Sequence, residues 1–402
     1  MNLEQDKKHF YLCSLIQTLI FIPFLMQGYI GSDWDSYALI GTVNNYVQDS
    51  VYLPSRPPGF PVYEVFLSLL FKISSIFNLQ FEKVFLIIQF LILISNNFLI
   101  FKFFEKENFS KFVYFYLITL SPVYLISGFS IIDYQAGLFF GLLAIYTTIY
   151  LQNNSLTVPF LLSISMGIRL SNLIFSIAVF ALFIYLQKSK REILNLVVLT
   201  SFFTSLIYGV AYFSLWSTTL SSIMDTPSDM VCIFNLTNTD HSTIYRLGRF
   251  LLKQIDFFGI VGFIIVLYLI FNMFKSINLR KNIHFVLIFL LFQLSFLRLP
   301  TEEGHLLPAF VALIFLMKEV EIKRSLVVIV LISSLVSNFL YLNTYDVDNP
   351  DSASEVYLNI SFKEGLLIQD FNERENKGLD KDFHYKNGFE SIKDVWKDGC
   401  PN

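Results

Sequence analysis

Apolar runs of about 18–22 residues, each a membrane-span candidate, recur along the chain and are separated by short polar stretches. The pattern predicts helices near 9–30, 83–103, 112–129, 134–151, 157–169, 171–187, 193–216, 256–273, 283–298, 305–317 and 325–342. One further apolar run, 62–77, reads differently. Glu64, Ser68, Lys72 and Ser75 recur on it at helical spacing, and Val62, Val65, Phe66, Leu69 and Ile73 fill the other side. A narrow polar stripe on an apolar helix suits the membrane interface. The blander reading is an ordinary span whose Glu64 and Lys72 snorkel.

Composition agrees with the pattern. The chain has 402 residues, 54% of them hydrophobic and 15% charged, where a soluble domain carries roughly 25% charged residues. The mean hydropathy is +0.57. The expected fold class is therefore an all-α polytopic membrane protein, with interfacial helices in its first outer loop. A net charge of -3 offers no footprint for nucleic acid.

Basic residues orient the spans. With 62–77 kept out of the count, eleven crossings place Lys7 and Lys8, Lys106 and Lys111, Lys188 to Arg191, Lys275 to Lys281, and Lys318 to Arg324 on the inner face. The first apolar run is long and has no small-residue cleavage site after it, so it reads as an uncleaved span. Arg169, Ser171 and Asn172 interrupt the run 157–186, which then reads as a hairpin with Arg169 outside. Residues 217–255 read as a polar outer loop. Residues 1–342 form the expected membrane domain. Residues 343–402 form a small outer segment, too short for more than a thin core, that should rest on it. Of three cysteines, Cys13 lies in the first span as inert packing, and Cys232 and Cys400 fall outside, where a pair can form. No metal-ligand spacing exists among them.

Candidate chemistry gathers at the outer ends of the spans. Asp33 and Asp35 follow the first span. Arg56 sits in Ser55-Arg56-Pro57-Pro58-Gly59-Phe60-Pro61, where three prolines forbid a regular helix. Asp133, Arg169, Arg298 and His305 follow on the same face. Each has a plainer role: solvated loop acids for Asp33 and Asp35, a helix cap for Asp133, boundary anchors for Arg169, Arg298 and His305, and loop solvation for Glu302 and Glu303. The span centres are nearly free of charge, whereas an ion-coupled transporter carries ionisable groups there.

In order and context these motifs resemble the GT-C superfamily of polyprenyl-phosphate-sugar glycosyltransferases, which includes protein mannosyltransferases and the aminoarabinose transferases of lipid A. The residues that carry the likeness are Asp33-Trp34-Asp35, then Arg56 to Pro61, then Pro122 and Asp133, then Gly167-Ile168-Arg169, and then Arg298 with His305-Leu306-Leu307-Pro308. The likeness covers about residues 1–310. Many members have adjacent Asp-Glu acids; here the second acid stands two residues on.

The resemblance implies inverting transfer of a monosaccharide from a polyprenyl-phosphate donor to a lipid, glycan or protein acceptor on the outer or lumenal face. Asp33 would be the general base, with Asp35 orienting it or binding acceptor. Asp133 would hold hydroxyls. Arg56, Arg169, Arg298 and His305 would meet the leaving phosphate. A single-phosphate leaving group requires no cofactor and does not demand a divalent metal. Heavy use of Phe, Ile, Asn and Lys fits an AT-rich genome, hence a bacterial inner membrane. Two other readings stand beside this one: an envelope polysaccharide polymerase or ligase working through Arg246 and Arg249, and a lipid or solute transporter.

Overall fold

The computed structural model describes residues 3–32, 34–49, 55, 59–104, 112–151, 156–216, 243–298, 303–320, 322–337, 340–343 and 361–379. Each expected run carries helix in it, but the run expected over 325–342 leaves the helix after Val336 and its last residues, Leu340 to Leu342, are strand. In chain order the helices begin with α1 (Leu3–Gln27), α2 (Trp34–Asp49), α3 (Pro61–Ile76) and α4 (Phe81–Phe104). They continue with α5 (Phe112–Thr119), α6 (Pro122–Phe129), α7 (Tyr134–Tyr150) and α8 (Thr157–Ile168). A 3-10 turn at Leu170–Asn172 leads to α9 (Leu173–Tyr185), α10 (Lys190–Trp216), α11 (Thr243–Ser276) and α12 (Ile283–Arg298). A second such turn, Glu303–Leu306, leads to α13 (Leu307–Lys318) and α14 (Arg324–Val336). Strands β1 (Leu340–Asn343) and β2 (Ser361–Glu364) pair antiparallel, Leu340 opposite Glu364, before α15 (Leu366–Leu379).

Among the described residues, four helices are long and apolar enough to cross a membrane: Lys7–Gln27, Phe81–Phe104, Lys190–Ala211 and Phe250–Met273. The pair α5 and α6, bent by 51°, makes a fifth if counted as one span. Pro122 explains the bend, since it has no N–H to donate and restricts the residue before it. Shorter apolar helices occupy Thr157–Ile168, Leu170–Tyr185, Ile283–Leu297 and Arg324–Val336.

On α1 and the first half of α3, polar residues point inward and apolar ones outward. Gln17 of α1 is buried while Leu12, Leu15, Leu19 and Met26 are exposed. On α3, Glu64 and Ser68 are buried, and Val65, Phe66, Leu69 and Ile73 are exposed. The first half of the expected interfacial stripe thus turns toward the protein rather than toward water. In hydrocarbon an outward Leu costs nothing, while a polar atom must find its partner inside the protein.

The chain divides into two compact units. The first is Met1–Ile20, Asn97–Ser127 and Thr239–Asn372. In it α11 packs on α14, α12 on α13, and α5 on both α13 and α14. A polar chain ties its interior: Tyr124 Oη donates to Asn97 Oδ1 (2.9 Å), Asn97 Nδ2 to Gln17 Oε1 (2.5 Å), and Gln17 Nε2 to the Thr119 carbonyl (2.7 Å). Cys13 is buried and donates to Thr119 Oγ1 at 3.0 Å.

Helix α11 begins at Thr243, inside the stretch expected to be loop, and Gly259 interrupts it with φ 65° and ψ 171°. Serines of α14 serve the interrupted backbone. Ser334 Oγ donates to the Phe257 carbonyl (2.6 Å), and Ser333 Oγ accepts from Gly262 N (2.9 Å).

The second unit is Phe21–Asn96, Gly128–Asn238 and Glu373–Asn402. Here α7 packs on α8, α8 on α10 and α3, and α2 on α3. Helix α7 also comes close to the 3-10 turn after α8: a Cβ on Gly137 would lie 2.4 Å from Asn172 Nδ2. An apolar core of Ile30, Ile40, Phe60, Tyr63, Phe85, Ile131 and Ile168 surrounds the loops described next.

Gly259→Ala should destabilise the protein by about 1–3 kcal/mol, because the left-handed φ strains any side chain. Its Cβ would also fall 2.4 Å from the Ser333 carbonyl oxygen. Thermal melting in detergent measures this, and an unchanged midpoint contradicts the steric account.

Candidate functional site at the loop before Asp133

The second unit's candidate site is built on Phe129 to Asp133, the last residue of α6 and the four that join it to α7. This loop lies among apolar side chains, so each of its backbone groups needs a partner. Ile131 N donates to the Ile30 carbonyl at 2.8 Å. Tyr63 Oη of α3 donates to the Ile131 carbonyl. Gln89 Nε2 of α4 donates to Tyr63 Oη and, at 3.2 Å, to the Ile132 carbonyl. Arg374 Nη1 of α15 donates to the Phe129 carbonyl at 2.7 Å. Three carbonyls of one short loop are thus held by side chains from three different helices.

Asp133, so held, is fully buried. It stands at the N-cap position of α7, but its side chain makes no capping bond. Its Oδ1 accepts instead from Arg169 Nη1 at 2.9 Å. Arg169 closes α8 in an extended conformation, φ -156°, and is only 6% exposed. Its guanidinium carbon lies 4.2 Å from the Tyr134 ring centroid and 5.7 Å from that of Phe60. Tyr208 of α10 steadies the same end of α8 by donating to the Met166 carbonyl at 3.1 Å.

Glu64 performs a related service for the proline loop. It is fully buried. Its Oε1 accepts from Ser55 N (2.7 Å) and Ser55 Oγ (2.5 Å), and its Oε2 accepts from Phe60 N (3.0 Å). Ser55 and Phe60 stand on either side of Arg56-Pro57-Pro58 in sequence, so one carboxylate fastens both flanks of that tripeptide. Pro61 starts α3 and Glu64 lies in its first turn, where an acid also suits the helix dipole.

Of the residues expected at the site, Asp133 and Arg169 come into direct contact. Asp35 lies half-buried in the first turn of α2, in the same unit. Asp33 and Arg56 lie outside the described residues. Arg298 ends α12, with its side chain outside the description, and His305 sits half-buried in the 3-10 turn; both belong to the first unit. Cys232 and Cys400 also lie outside the described residues, as do the side chains of Arg246 and Arg249. Among the described residues no three His, Cys, Asp or Glu side chains gather as a metal site would need.

Sequence reasoning missed Tyr63, Gln89 and Arg374 and misread Glu64. A Gln in the middle of an apolar span was a signal, because such a residue seeks a partner on another helix. An acid in the first turn after a proline was another. Nothing marked Arg374. In the first unit Glu303, expected to be solvated, is ion-paired with Lys253, and Asp256 Oδ2 lies 3.8 Å from the same ammonium. Burial, the largest single effect, works against ionisation of Glu303, but the Lys253 ammonium together with hydrogen bonds from Lys253, Asp256 and the backbone holds the carboxyl below its ordinary range.

Compared with protein-family models, with curated proteins and with solved structures, the chain matches none.

Asp133→Leu or Arg169→Leu alone should cost about 3–5 kcal/mol, since each strands a buried charge. The double leucine variant should cost less than either, and melting midpoints of the three decide it. A double variant worse than both singles contradicts a buried pair.

Because the folded Glu303 carboxyl titrates below its unfolded value, its contribution to stability is present above the ordinary carboxylate range. It is lost as pH falls through the depressed value. Glu303→Gln should therefore lower the melting midpoint at neutral pH and flatten its fall on acidification.

Proposed function

We propose that this chain is an integral membrane glycosyltransferase. It moves a monosaccharide from a polyprenyl-phosphate donor to an acceptor hydroxyl at the outer face of a bacterial inner membrane. The observation that carries the reading is the buried Asp133–Arg169 pair, set at one end of two packed helices on a loop with no freedom to relax. A guanidinium has five N–H donors in a fixed plane, so it can hold one carboxylate and also meet phosphate oxygens. The apolar outward surfaces of α1 and α3 support the membrane setting. The eleven crossings, an inner N-terminus and an outer segment 343–402 belong to this reading.

In the proposed reaction the acceptor oxygen attacks the anomeric carbon from the side opposite the phosphate. The carbon–oxygen bond to the lipid phosphate breaks, with inversion. The acceptor proton passes to Asp33, with Asp35 orienting the acceptor. Polyprenyl phosphate leaves with both bonding electrons, and Arg56 and Arg169 meet its charge. Asp133 fixes the Arg169 guanidinium, a firmer role for it than holding sugar hydroxyls. The step needs no cofactor, and a divalent metal is not invoked.

Cells lacking the gene should lose one sugar from an envelope glycolipid, polysaccharide or glycoprotein, as read by mass spectrometry. Wild type should restore it. Asp33→Asn at matched membrane levels should restore less by about 10²–10⁴-fold, the usual contribution of a general base. Full restoration by Asp33→Asn overturns the catalytic assignment. An unchanged glycan profile on deletion overturns the transferase reading.

A further inference from the structure

The C-terminal helix α15 carries a fully buried arginine, Arg374. Burying a guanidinium is costly unless its donors are used. Arg374 Nη1 donates to the Phe129 carbonyl at 2.7 Å and to the Tyr29 carbonyl at 3.4 Å. Its guanidinium carbon stacks 4.8 Å from the centroid of the Phe24 ring. The two carbonyls lie at matching places. Tyr29 precedes Asp33 by four residues, and Phe129 precedes Asp133 by four. One residue beyond Tyr29 and two beyond Phe129, the loops join directly where Ile131 N donates to the Ile30 carbonyl at 2.8 Å.

We propose that Arg374 is a positioning residue, which clasps the two acid-bearing loops side by side from the C-terminal segment. The clasp deepens the transferase reading and rests on it for its consequence. Two loops leading to a base and to a phosphate-orienting acid must keep a fixed separation. A displacement of about 1 Å in such an arrangement costs on the order of 10²-fold in rate. Residues outside the membrane helices thereby set the geometry of chemistry that occurs at their ends. Lysine at this position keeps the charge and N–H donors but not the flat guanidinium that lies against the Phe24 ring.

The test uses the full-length protein in detergent and the glycan profile of the complemented deletion strain. Hydrogen exchange is followed by mass spectrometry in peptides covering 28–32 and 129–133. With Arg374→Met, exchange at Ile131 should rise and exchange in α10 change little, and the melting midpoint should fall because the carbonyls lose their donor. Product at matched membrane levels should fall about tenfold or more, and Arg374→Lys should recover part of it. Unchanged exchange in both loops overturns the clasp. If Arg374→Met fails to fold, Arg374→Gln, whose side chain is shorter and uncharged, decides: wild-type exchange and wild-type product in that variant overturn the two-carbonyl grip. If exchange rises but product stays constant in these variants and in Asp33→Asn alike, the clasp stands and the transferase reading falls.

Discussion

A polypeptide that leaves its helix among apolar side chains must have its carbonyls satisfied by something other than water. The five residues from Phe129 to Asp133 are under that constraint, and the second unit is arranged to meet it. Tyr63, Gln89 and Arg374 come from α3, α4 and α15 to supply donors, and Ile30 supplies the acceptor for Ile131 N. Each such bond is worth only about 0.5–1.5 kcal/mol net, but an unmade one costs about 1–3. The loop is therefore held in one conformation by avoidance of loss rather than by strong attraction. Asp133 inherits that fixity, and through it so does Arg169.

The same constraint recurs wherever the backbone departs from regular helix. At Gly259 the interrupted helix is served by Ser333 and Ser334. At the proline loop Glu64 serves Ser55 and Phe60. In each case a polar side chain on a neighbouring element, or on the next helix, replaces the missing helical bond. The polar residues scattered through the apolar runs are thus structural partners for breaks elsewhere in the chain. Gln17 and Asn97 play the same part for each other and for Thr119 in the first unit.

A buried carboxylate–guanidinium pair is a poor means of stabilisation, since desolvation offsets most of its attraction. Its presence at the meeting of α7 and α8 makes better sense as a means of orientation. Arg169 is flanked by the Tyr134 and Phe60 rings and anchored by Asp133. Three contacts around one planar group leave it little rotational freedom. An arginine fixed in this way can meet an anion without the entropy cost a surface side chain would incur, which suits the phosphate role proposed for Arg169.

The apolar periodicity alone put helix under most of the runs it marked, but it counted eleven crossings where, among the described residues, four helices, or five with the bent pair, are long and apolar enough to cross a membrane, and it did not mark α15. It also singled out Asp133 and Arg169, because a charge beside an apolar run is conspicuous. It placed the start of α11 too late, since Arg246, Arg249 and Lys253 suppress the local hydropathy of a segment that tertiary packing keeps helical. It set Glu64 and Ser68 facing out, because a polar stripe looks alike whether water or protein covers it. Only the tertiary structure decided that Glu64 fastens the proline loop, that Asp133 pairs with Arg169 instead of capping α7, and that an arginine in the last helix grips the Tyr29 and Phe129 carbonyls. The reason is one of range. Hydropathy is a property of neighbours along the chain, whereas the partner of a buried polar atom is chosen by helices that meet only after folding.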